Sequence, residues 1–562
     1  MRKYILSLLL VCGGIQAQEA SYLNFRSPFD FPLYMSGNFG ELRSNHFHGG
    51  VDFKTEGAEG KTVYCIADGY ISRIVVSPGS YGNALYICHD NGYTSVYGHL
   101  KSFAEPIASF VKAYQYKNET FAVDLKSDST QFVFEQGEPV AFSGNTGYSF
   151  GPHLHMEIRN TKTNELIDPL QFYMKQVKDT KPPVARAIMF YPKAGKGVVN
   201  GKNSKHSLSV NSSGNQHCFS QPVYAWGEIG LGIKAYDYMD GTSNNYGVRS
   251  IKLYVDSIEI FNSIVDRCLL EENRTINSWT DFAEYKLRNS WFMKSYIEPG
   301  NPLRMLKANS NNGMIYINEE KDYHVKYVLS DLYGNTSQYN FVIKGRRQEI
   351  PAYVAKGKHF LQWNKTNIIQ EPGMHLIIPR GMLYEDIDLN SSIQYDSSAI
   401  SFEYMLHDVP VPLHRECDLI IGIRNMPVDD TSKYYIARRN GSKSHYAGGT
   451  YEDGWLKASI LELGTYKIEI DTVPPKIEAL NKGGWKRSGT ISFKISDGQS
   501  GIKSYKGKIN GKFALFAFDA KSGRYFCKPE SQLLVKDSKQ QLEITVEDRC
   551  GNIKRLADTF IW

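Results

Sequence analysis

Short runs of alternating apolar and polar residues, each ended by a turn signal, recur along most of this chain. An alternation of period two is typical of strands that bury one face, and pairs such as Asp68-Gly69 and Asn91-Gly92 mark tight turns between such runs. Aromatic residues make up 13% of the sequence, which also favours strands. The pattern predicts an all-β fold, and no amphipathic helix is expected among residues 18–178.

An internal repeat constrains the C-terminal part of the chain. DTKPP at 179–183 recurs as DTVPP at 471–475, and two further landmarks follow in the same order in both copies. GVRSIKLYVDSIEIF resembles GIKSYKGKINGKFALF, and YVLSDLYGNTSQ resembles ITVEDRCGNIKR. Three landmarks in one order indicate a repeated unit, and the alternating runs within each copy predict an immunoglobulin-like β-sandwich.

The chain has 562 residues, which is too many for a single hydrophobic core. Tandem prolines cannot continue a β-ladder, so the two Pro-Pro pairs are predicted boundaries. We predict a signal peptide, a first domain, an immunoglobulin-like sandwich with an insertion, a further β-rich domain and a second immunoglobulin-like sandwich. Their predicted limits are 1–17, 18–178, 179–349, 350–470 and 471–562. The insertion contains a stretch of helical character, NSWTDFAEYKLRNSWFMKSY.

The N-terminus has the composition of a secretory signal. Arg2 and Lys3 precede a short apolar run, and small residues follow up to a predicted cleavage site after Ala17. We therefore expect export to the periplasm, the cell envelope or the extracellular space. No later run is long and apolar enough to predict a transmembrane segment. The formal charge of +6 is small and no basic cluster interleaves with aromatic residues, so nucleic acid is not an expected partner.

The cysteine count leaves the disulfide pattern open. Without Cys12, which lies in the predicted signal peptide, seven cysteines remain, so at least one is free or paired outside the chain. Cys65 and Cys88 lie in neighbouring predicted strands, as do Cys527 and Cys550. Either pair can be a disulfide or two separate thiols, and none has the CxxC spacing of a structural zinc site.

Histidine and acidic residues concentrate in two separate motifs. In NHFHGGVDF, His48 and Asp52 are four residues apart and project from one face of an extended segment, and the glycines between them permit a close approach. In GPHLHMEIRN, His153 and His155 share one face of a strand, and His99 ends the run YTSVYGHL. Three His, Asp and His ligands plus water match the open zinc arrangement used in catalysis, and two further histidines can transfer protons. Since an isolated HxH pair is more often structural, the combination of motifs carries this hypothesis.

Three blocks in order, GNFGELRSNHFHGGVDF, GYTSVYGHL and SGNTGYSFGPHLHMEI, resemble the lysostaphin-type, or LytM-like, zinc endopeptidases that cut peptidoglycan cross-bridges. The resemblance covers residues 35–160 and implies a LytM-like antiparallel β-sheet peptidase domain, followed here by the tandem β-sandwiches. It implies that Zn²⁺ is bound by His48, Asp52 and His155, and that His99 and His153 are the catalytic histidines. No position of the family pattern is missing, whereas relatives that lack these residues act as non-catalytic regulators.

The chain departs from the compact members of that family in two places. Between His99 and Gly144 lie 44 residues, and we expect the extra stretch, SFVKAYQYKNETFAVDLKSDS, to form a loop near one wall of the groove. Phe150 stands where threonine is common before the GPHLH block, at a position that is not a ligand.

Polar and aromatic neighbours of the motifs have plainer interpretations. His46 precedes His48 by two residues and is expected to be a surface histidine. Arg43 can bind a substrate carboxylate or phosphate, or form a surface salt bridge, and the sequence favours neither. Tyr97 is expected to pack within its strand.

The predicted function is that of a secreted zinc-dependent endopeptidase that hydrolyses peptide cross-links of bacterial peptidoglycan, with peptide stems or cross-bridges as its substrate. Two alternatives stay open, a non-catalytic LytM-type regulator of cell-wall amidases and an envelope scaffold or adhesion protein. The C-terminal β domains can act as spacers, dock on the cell wall or bind an envelope protein. Turns such as SDLYGN and EDRCGN are typical of turn chemistry; calcium binding is conceivable there, although one acidic residue per turn supplies few oxygens.

Overall fold

Strands dominate the described chain, which confirms the predicted all-β fold. The computed structural model describes residues 24–211, 214–535 and 538–562, so the predicted signal peptide lies outside the described residues. We distinguish four parts, each with a buried apolar core: the N-terminal domain, the first repeat unit, the middle unit and the second repeat unit. Their described limits are 24–178, 179–345, 358–470 and 471–562. No helix in the described residues is long and apolar enough to span a bilayer.

An antiparallel sheet forms the centre of the N-terminal domain. The strands of this domain are β1 (Met35–Gly37), β2 (Leu42–Arg43), β3 (His46–Phe47), β4 (Val51–Lys54), β5 (Thr62–Tyr64), β6 (Gly69–Val76), β7 (Asn83–His89), β8 (Tyr93–Leu100), β9 (Ser102–Phe103), β10 (Val123–Lys126), β11 (Val133–Phe134), β12 (Pro139–Phe142), β13 (His153–Asn160) and β14 (Leu166–Ile167). Its helices are α1 (Ile107–Lys117) and α2 (Leu170–Tyr173). The central sheet has the order β1-β4-β13-β8-β7-β6-β10, beside a small sheet β5-β12-β9 and the hairpin β2-β3.

The register of the central sheet separates an apolar face from a polar one. In the antiparallel pair of β4 and β13, Asp52 lies opposite His155 and Val51 lies opposite Met156. Because successive side chains of a strand point to opposite faces, Val51 and Met156 enter the core while Asp52 and His155 lie on the other face. Leu154, between the two histidines of β13, is also fully buried in that core.

The segment after His99 is not the loop that the sequence predicts. Helix α1 and strand β10 occupy much of it, and β10 pairs with β6 at the sheet edge. The helix buries Ile107 and Val111, which are four residues apart as in a helical stripe. The sequence prediction missed this helix because the aromatic residues around that stripe are typical of strands.

This segment also lies elsewhere than predicted, because its contacts are with the second repeat unit and not with the groove wall. Lys112 Nζ lies 2.7 Å from Glu530 Oε1. The ring of Tyr116 meets that of Phe513 at a centroid distance of 5.8 Å. The segment that contains α1 therefore joins the N-terminal domain to the second repeat unit.

The first repeat unit is a large sheet with a helical insertion. Its strands are β15 (Val184–Val199), β16 (His206–Ser209), β17 (Gly214–His217), β18 (Val223–Tyr236), β19 (Ser250–Val255), β20 (Ile258–Ile264), β21 (Arg267–Cys268), β22 (Met293–Lys294), β23 (Leu306–Ala308), β24 (Ile315–Ile317), β25 (Asp322–Ser330) and β26 (Thr336–Gly345). The insertion contains a 3-10 helix at Leu270–Thr275, α3 (Ile276–Trp279) and α4 (Phe282–Arg288), where the sequence has helical character. Strand β21 pairs with β14, so the first repeat unit extends the sheet of the N-terminal domain.

The middle unit buries its core between two five-stranded sheets. Its strands are β27 (His359–Leu361), β28 (Asn367–Glu371), β29 (Met374–Ile378), β30 (Ile387–Leu389), β31 (Ser392–Gln394), β32 (Glu403–Met405), β33 (Val411–Gly422), β34 (Tyr434–Asn440), β35 (Lys443–Tyr446), β36 (Thr450–Glu452), β37 (Trp455–Leu463) and β38 (Thr465–Ile470), with a 3-10 helix at Thr431–Lys433. The sheet orders are β28-β29-β33-β37-β36 and β31-β32-β38-β34-β35.

The second repeat unit shares the strand pairing of the first. Its strands are β39 (Lys476–Ala479), β40 (Ile491–Ser496), β41 (Ile502–Ile509), β42 (Lys512–Ala514), β43 (Ala517–Asp519), β44 (Arg524–Cys527), β45 (Lys539–Asp548) and β46 (Ile553–Ile561), with 3-10 helices at Lys482–Gly484 and Ser531–Leu533 and the helix α5 (Trp485–Ser488). The order β42-β41-β45-β46 matches β20-β19-β25-β26 of the first unit. The repeated landmarks of the sequence are therefore repeated in the hydrogen-bonded pairing as well.

The seven cysteines among the described residues are free thiols. Cys527 belongs to the core of the second repeat unit, whereas Cys550 packs with Tyr435 of the middle unit. Burial raises the pKa of the Cys65 thiol to about 12, which keeps it protonated and unreactive.

Gly50 permits the close approach of β4 and β13. A Cβ at this position would lie 2.2 Å from the carbonyl oxygen of Met156. We expect Gly50→Ala to lower the free energy of unfolding by about 1–3 kcal/mol, the usual cost of overpacking, because the neighbouring strand must move. Urea denaturation followed by circular dichroism measures this loss. Gly151→Ala, where an added Cβ meets no atom within 4 Å, is the control. Equal stability of both variants would contradict the described register.

Candidate metal centre

A groove of about 1140 Å³ opens over the polar face of the central sheet. It is lined by all five residues that the sequence predicts for the site: His48, Asp52, His99, His153 and His155. These residues come from the segment before β4, from β4, from the end of β8 and from β13. Three strands that are adjacent in the sheet thus bring distant parts of the sequence together.

Three donor atoms converge on one point of this groove. Asp52 Oδ1 lies 3.0 Å from His48 Nε2 and 2.9 Å from His155 Nδ1, and the two ring nitrogens are 3.0 Å apart. All three side chains are buried. Two imidazole nitrogens and one carboxylate oxygen form a donor set that suits a zinc ion, so these residues fit the metal that the sequence predicts.

Partners outside the cluster fix the orientation of both ligand-type histidines. His48 Nδ1 lies 2.7 Å from the carbonyl oxygen of Asn38, so it donates there and leaves Nε2 free to act as a ligand. His155 donates from Nε2 to Glu157 Oε1 over 3.1 Å, which points Nδ1 at Asp52. Hydrogen bonds of this kind hold a histidine in the tautomer that a metal requires.

The carboxylates around His155 favour a positive charge at the centre of the cluster. Burial opposes a charge on His155, but the carboxylates of Asp52 and Glu157 outweigh burial and raise its pKa to about 9. Burial would likewise raise the pKa of Asp52, yet His48 and the hydrogen bonds from His153 and His155 hold it well below its usual range. A proton and a metal ion therefore compete for His155 Nδ1, and either one supplies the positive charge that the carboxylates favour.

The two remaining histidines face the cluster from one side of the groove. His99 Nδ1 lies 2.7 Å from the carbonyl oxygen of Thr146, and His153 Nδ1 lies 2.8 Å from that of Gly151. Both rings therefore turn Nε2 toward the groove, and their centroids are 4.7 Å apart. Burial, together with the neighbouring His155 and His153, lowers the pKa of His99 to about 3, so its ring is neutral.

His99 reaches the groove because β8 carries a β-bulge. Between Asn83 and Leu85 of β7, the partner strand advances by three residues, from Leu100 to Tyr97. The backbone of His99 has φ of 58°, in the left-handed region, which costs a non-glycine residue about 1 kcal/mol. Simple alternation would place His99 on the same face as Tyr97, which is fully buried in the core. The bulge turns its side chain to the opposite face.

Arg43 forms an ion pair with Asp52 of the cluster. Its guanidinium lies 3.0 Å from Asp52 Oδ2 and 3.4 Å from Glu41 Oε1. A Cβ at Gly37 would lie 2.8 Å from Asp52 Oδ2, so the glycine leaves room for this ion pair. Of the two roles that the sequence left open, the structure favours an ion pair, but one made to a ligand-type carboxylate inside the groove.

Glu157 and Tyr81 are functional neighbours that the sequence prediction missed. Glu157 is fully buried, accepts a hydrogen bond from Arg159 Nε over 2.7 Å and another from the hydroxyl of Tyr81 over 2.5 Å. The ring of Tyr81 stacks on His155 at a centroid distance of 5.0 Å. A signal existed in β13, because His153, His155, Glu157 and Arg159 alternate along one face, and four polar residues in that pattern indicate a polar network.

Other residues that the sequence singled out lie at the edge of the site or outside it. His46 is exposed and its Nδ1 contacts the carbonyl oxygen of Ser44 at 2.9 Å, as expected for a surface histidine. Tyr97 packs in the core, also as expected. Phe150 is fully exposed on the rim of the groove beside Tyr148, which is 74% exposed.

One wall of the groove belongs to the first repeat unit. Leu270 and Asn273 line the groove from the 3-10 helix of the insertion. The amide of Phe47 donates to Asn273 Oδ1 over 2.5 Å, and the ring of Phe47 packs against Trp279 at a centroid distance of 5.8 Å. The groove is therefore not complete within the predicted first domain, 18–178.

Comparisons with known proteins agree with this site. Residues 46–169 match the family described as Peptidase family M23, and residues 358–471 match the family described as a Zu5-like domain. The chain thus carries a peptidase family M23 domain, and the resemblance to lysostaphin-type and LytM-like peptidases is confirmed for that domain. The Zu5-like match coincides with the middle unit.

Individual proteins are similar to part of this chain. The DD-carboxypeptidase/endopeptidase Mpg of Neisseria meningitidis serogroup B (strain ATCC 13091 / M2091) is 30% identical over 147 residues, which are 26% of this chain and 27% of that protein. An uncharacterized metalloprotease of Haemophilus influenzae is 34% identical over 110 residues, 20% of this chain and 18% of that protein. The lysostaphin catalytic domain from Staphylococcus simulans is 21% identical, covering 28% of this chain and 98% of that one, with a TM-score of 0.19. This chain thus matches about a quarter or less of each curated relative.

The buried charge of Glu157 predicts a pH-dependent stability. Burial would raise the pKa of Glu157, but Arg159 and the hydrogen bonds from His155 and Tyr81 outweigh burial and lower it to about 2. A lowered pKa contributes stability above the ordinary value of 4.5, and this contribution is lost as the pH falls toward 2. We expect Glu157→Gln to be less stable than the wild type by about 3 kcal/mol near neutral pH, and the difference to shrink in acid.

Urea unfolding of both proteins at about pH 7, 5 and 3 measures that difference. Glu135→Gln, which removes an exposed carboxylate of the same domain, is the matched control and should follow the wild type throughout. A constant difference between Glu157→Gln and the wild type at every pH would contradict the assignment of the charge.

Proposed function

We propose that the N-terminal domain is a zinc-dependent endopeptidase that hydrolyses peptide bonds in bacterial peptidoglycan. The observation that carries this proposal is the convergence of His48 Nε2, Asp52 Oδ1 and His155 Nδ1 within 3.0 Å of one another in an open groove. The M23 family match and the Neisseria relative, named as a carboxypeptidase and endopeptidase, support it. Zinc is the proposed metal because the donor set is of the His, Asp and His type.

The proposed ligands are His48, Asp52 and His155, oriented by Asn38, Arg43 and Glu157 as described above. When bound, a zinc ion polarises a carbonyl group and lowers the pKa of water. Arg43 holds Asp52 by its second oxygen, which leaves Oδ1 directed at the cluster. This ion pair fixes the carboxylate before any substrate arrives, and such preorganisation avoids reorganisation during the reaction.

His99 and His153 are the proposed catalytic histidines. Each ring contacts a backbone carbonyl oxygen through Nδ1 and turns Nε2 to the groove, so each can exchange a proton there at Nε2. His153 Nε2 lies 3.5 Å from Asp52 Oδ1, which places it nearer the ligand cluster. His99 lies beside it, and the pair can take a proton from the attacking water and return it to the leaving amine.

The lining of the groove suits a peptide. It includes the exposed Tyr148 and Phe150 from the N-terminal domain and Leu270 and Asn273 from the first repeat unit. The aromatic rim offers apolar contact, and the side chain of Asn273 is already held by the amide of Phe47. We propose that this combination receives a peptide stem or cross-bridge, with the scissile bond over the cluster.

The roles of His99 and His155 predict different outcomes for their removal. We expect His155→Ala to lose bound zinc, because one of three ligands is missing. We expect His99→Ala to keep zinc and to lose turnover by about 10²–10⁴-fold, the usual contribution of a proton-transfer group. Mass spectrometry of the metal content and of peptides released from purified peptidoglycan checks both.

His46→Ala is the matched control, since His46 lines the groove but lies outside the cluster, and it should keep both zinc and activity. Wild-type turnover in His99→Ala would refute the catalytic role. If the wild-type protein binds zinc and produces no new peptide terminus, the non-catalytic regulator or scaffold hypotheses gain instead.

We also propose that the protein is exported to the periplasm or cell envelope, where peptidoglycan lies, and that the C-terminal units dock on the cell wall or on an envelope protein. The support is the composition of residues 1–17. N-terminal sequencing of the protein from fractionated cells should find a new terminus at Gln18. A cytoplasmic protein that begins at Met1 would overturn this proposal.

A further inference from the structure

Three buried aspartates meet where the N-terminal domain joins the first repeat unit. Asp179 follows that domain directly, Asp237 follows β18, and Asp331 lies in the turn between β25 and β26. One carboxylate oxygen of each lies within 4.8 Å of the others. Asp179, Asp237 and Asp331 are 6%, 2% and 7% exposed, respectively. The tertiary structure thus gathers acidic residues that the sequence distributes singly among turns.

The nearest described lysine, Lys181, directs its Nζ to the carbonyl oxygen of Met239 over 2.9 Å and not to a carboxylate of this cluster. Backbone amides donate to one oxygen of each carboxylate, with Lys181 N 2.9 Å from Asp179 Oδ1 and Tyr238 N 2.9 Å from Asp237 Oδ1. Asp331 accepts from the amide and the side chain of Asn335. No lysine or arginine among the described residues forms an ion pair with the three carboxylates.

Asp179 has an oxygen with no hydrogen-bond partner. Its Oδ2 is buried, and no donor of the described residues reaches it. A buried carboxylate oxygen without a partner costs more free energy than almost any other polar atom, so a native structure normally satisfies it. This atom belongs to a side chain that faces the other two aspartates.

We propose that Asp179, Asp237 and Asp331 bind a hard divalent cation, and we assign it as Ca²⁺. Hard cations prefer oxygen donors such as carboxylates. The cluster offers only carboxylate oxygens, and no histidine or thiol takes part in it. Oxygens on opposite sides of one calcium ion lie about 4.6–5.2 Å apart, since each bond is about 2.3–2.6 Å, so the spacing of this cluster fits within one coordination sphere.

The charge of the cluster supports the same conclusion. Burial and the neighbouring carboxylates raise the pKa of Asp237 to about 8, and burial with Asp331 and Asp240 raises that of Asp179 to about 7. Three buried carboxylates within 4.8 Å of one another also repel as bare anions. Either protons or a cation must neutralise them, and a cation also satisfies Asp179 Oδ2.

The second repeat unit carries a corresponding cluster. Asp471, Asp497 and Asp548 also offer oxygens within 4.8 Å of one another. Asp471 follows the middle unit, Asp497 follows β40 and Asp548 ends β45, which corresponds to the places of Asp179, Asp237 and Asp331 after the N-terminal domain, β18 and β25. Asn552 Nδ2 donates to the carbonyl oxygen of Asp471 over 3.0 Å, as Asn335 Nδ2 does to that of Asp179 over 3.3 Å. The arrangement thus recurs with the repeat.

The position of the first cluster suggests what the cation does. Beside it, the hydroxyl of Tyr333 donates to the carbonyl oxygen of Val177 over 2.7 Å, and Thr180 contacts Asp240. A cation here would fasten the end of the N-terminal domain to two turns of the first repeat unit. That unit supplies Leu270 and Asn273 to the groove wall, so the cation would hold the wall in place.

Calorimetric titration of the full-length protein with Ca²⁺, and in parallel with Mg²⁺, tests the proposal. We expect the wild type to bind Ca²⁺ with a dissociation constant of about 10⁻³ M or tighter. Asp237→Asn and Asp331→Asn should each lose one equivalent of bound Ca²⁺. Asp240→Asn, which removes an adjacent aspartate outside the cluster, should bind the same number of Ca²⁺ equivalents as the wild type.

Melting curves with and without Ca²⁺ give a second readout. We expect Ca²⁺ to raise the melting temperature of the wild type. The melting temperature of Asp237→Asn should rise less, because its first cluster no longer binds the ion. Wild type that neither binds Ca²⁺ nor is stabilised by it would overturn the proposal. Preference for Mg²⁺ would overturn the assignment as calcium.

A shared proton is the competing account, and it predicts the opposite sign. In that case Ca²⁺ has no effect, and Asp237→Asn, which imitates the protonated acid, is more stable than the wild type at about pH 9, above both raised pKa values. Should both cluster variants fail to fold, the effect of Ca²⁺ on the wild type and on Asp240→Asn decides between the two accounts.

Discussion

The antiparallel pairing of β4 with β13 is the contact on which the site depends. It sets Asp52 opposite His155 and, through the same alternation, sends Val51, Leu154 and Met156 into the core. A slip of one residue would exchange the two faces and bury the polar side chains in the apolar layer. The hydrophobic core therefore enforces the geometry of the cluster, and Gly50 lets the two backbones approach closely enough for it.

Around this pairing the protein concentrates buried charge. The carboxylate of Glu157 lies between Arg159 and His155, while Asp52 lies between Arg43 and the histidines. Each carboxylate has a cationic or proton-donating partner, which keeps the network stable despite its burial. The aspartate cluster at the next domain junction differs, because Asp179 Oδ2 has no hydrogen-bond partner among the described residues. That contrast is the basis for proposing a cation at the aspartate cluster.

The first repeat unit takes part in the structure of the N-terminal domain. Strand β21 pairs with β14, and the insertion after it supplies Leu270 and Asn273 to the groove. The second repeat unit contacts α1 from the far side. An M23 domain in this chain is thus held between two copies of one repeat, and its groove takes part of its shape from the first of them.

The sequence by itself determined the all-β fold, the repeat and the five histidine and aspartate residues that line the groove, because period-two alternation and motif spacing are local properties. It did not determine that His99 faces the groove, since alternation would place it with Tyr97 in the core, and a bulge between strands reverses that. The sequence prediction placed the segment that contains α1 near the groove wall, which is wrong. The buried residues of α1, Ile107 and Val111, are recognised only from their packing in the tertiary structure. The sequence also shows single aspartates in separate turns, and only the pairing of distant strands brought Asp179, Asp237 and Asp331 together. Local patterns fix which face a side chain prefers, whereas contacts between distant strands decide which side chains meet.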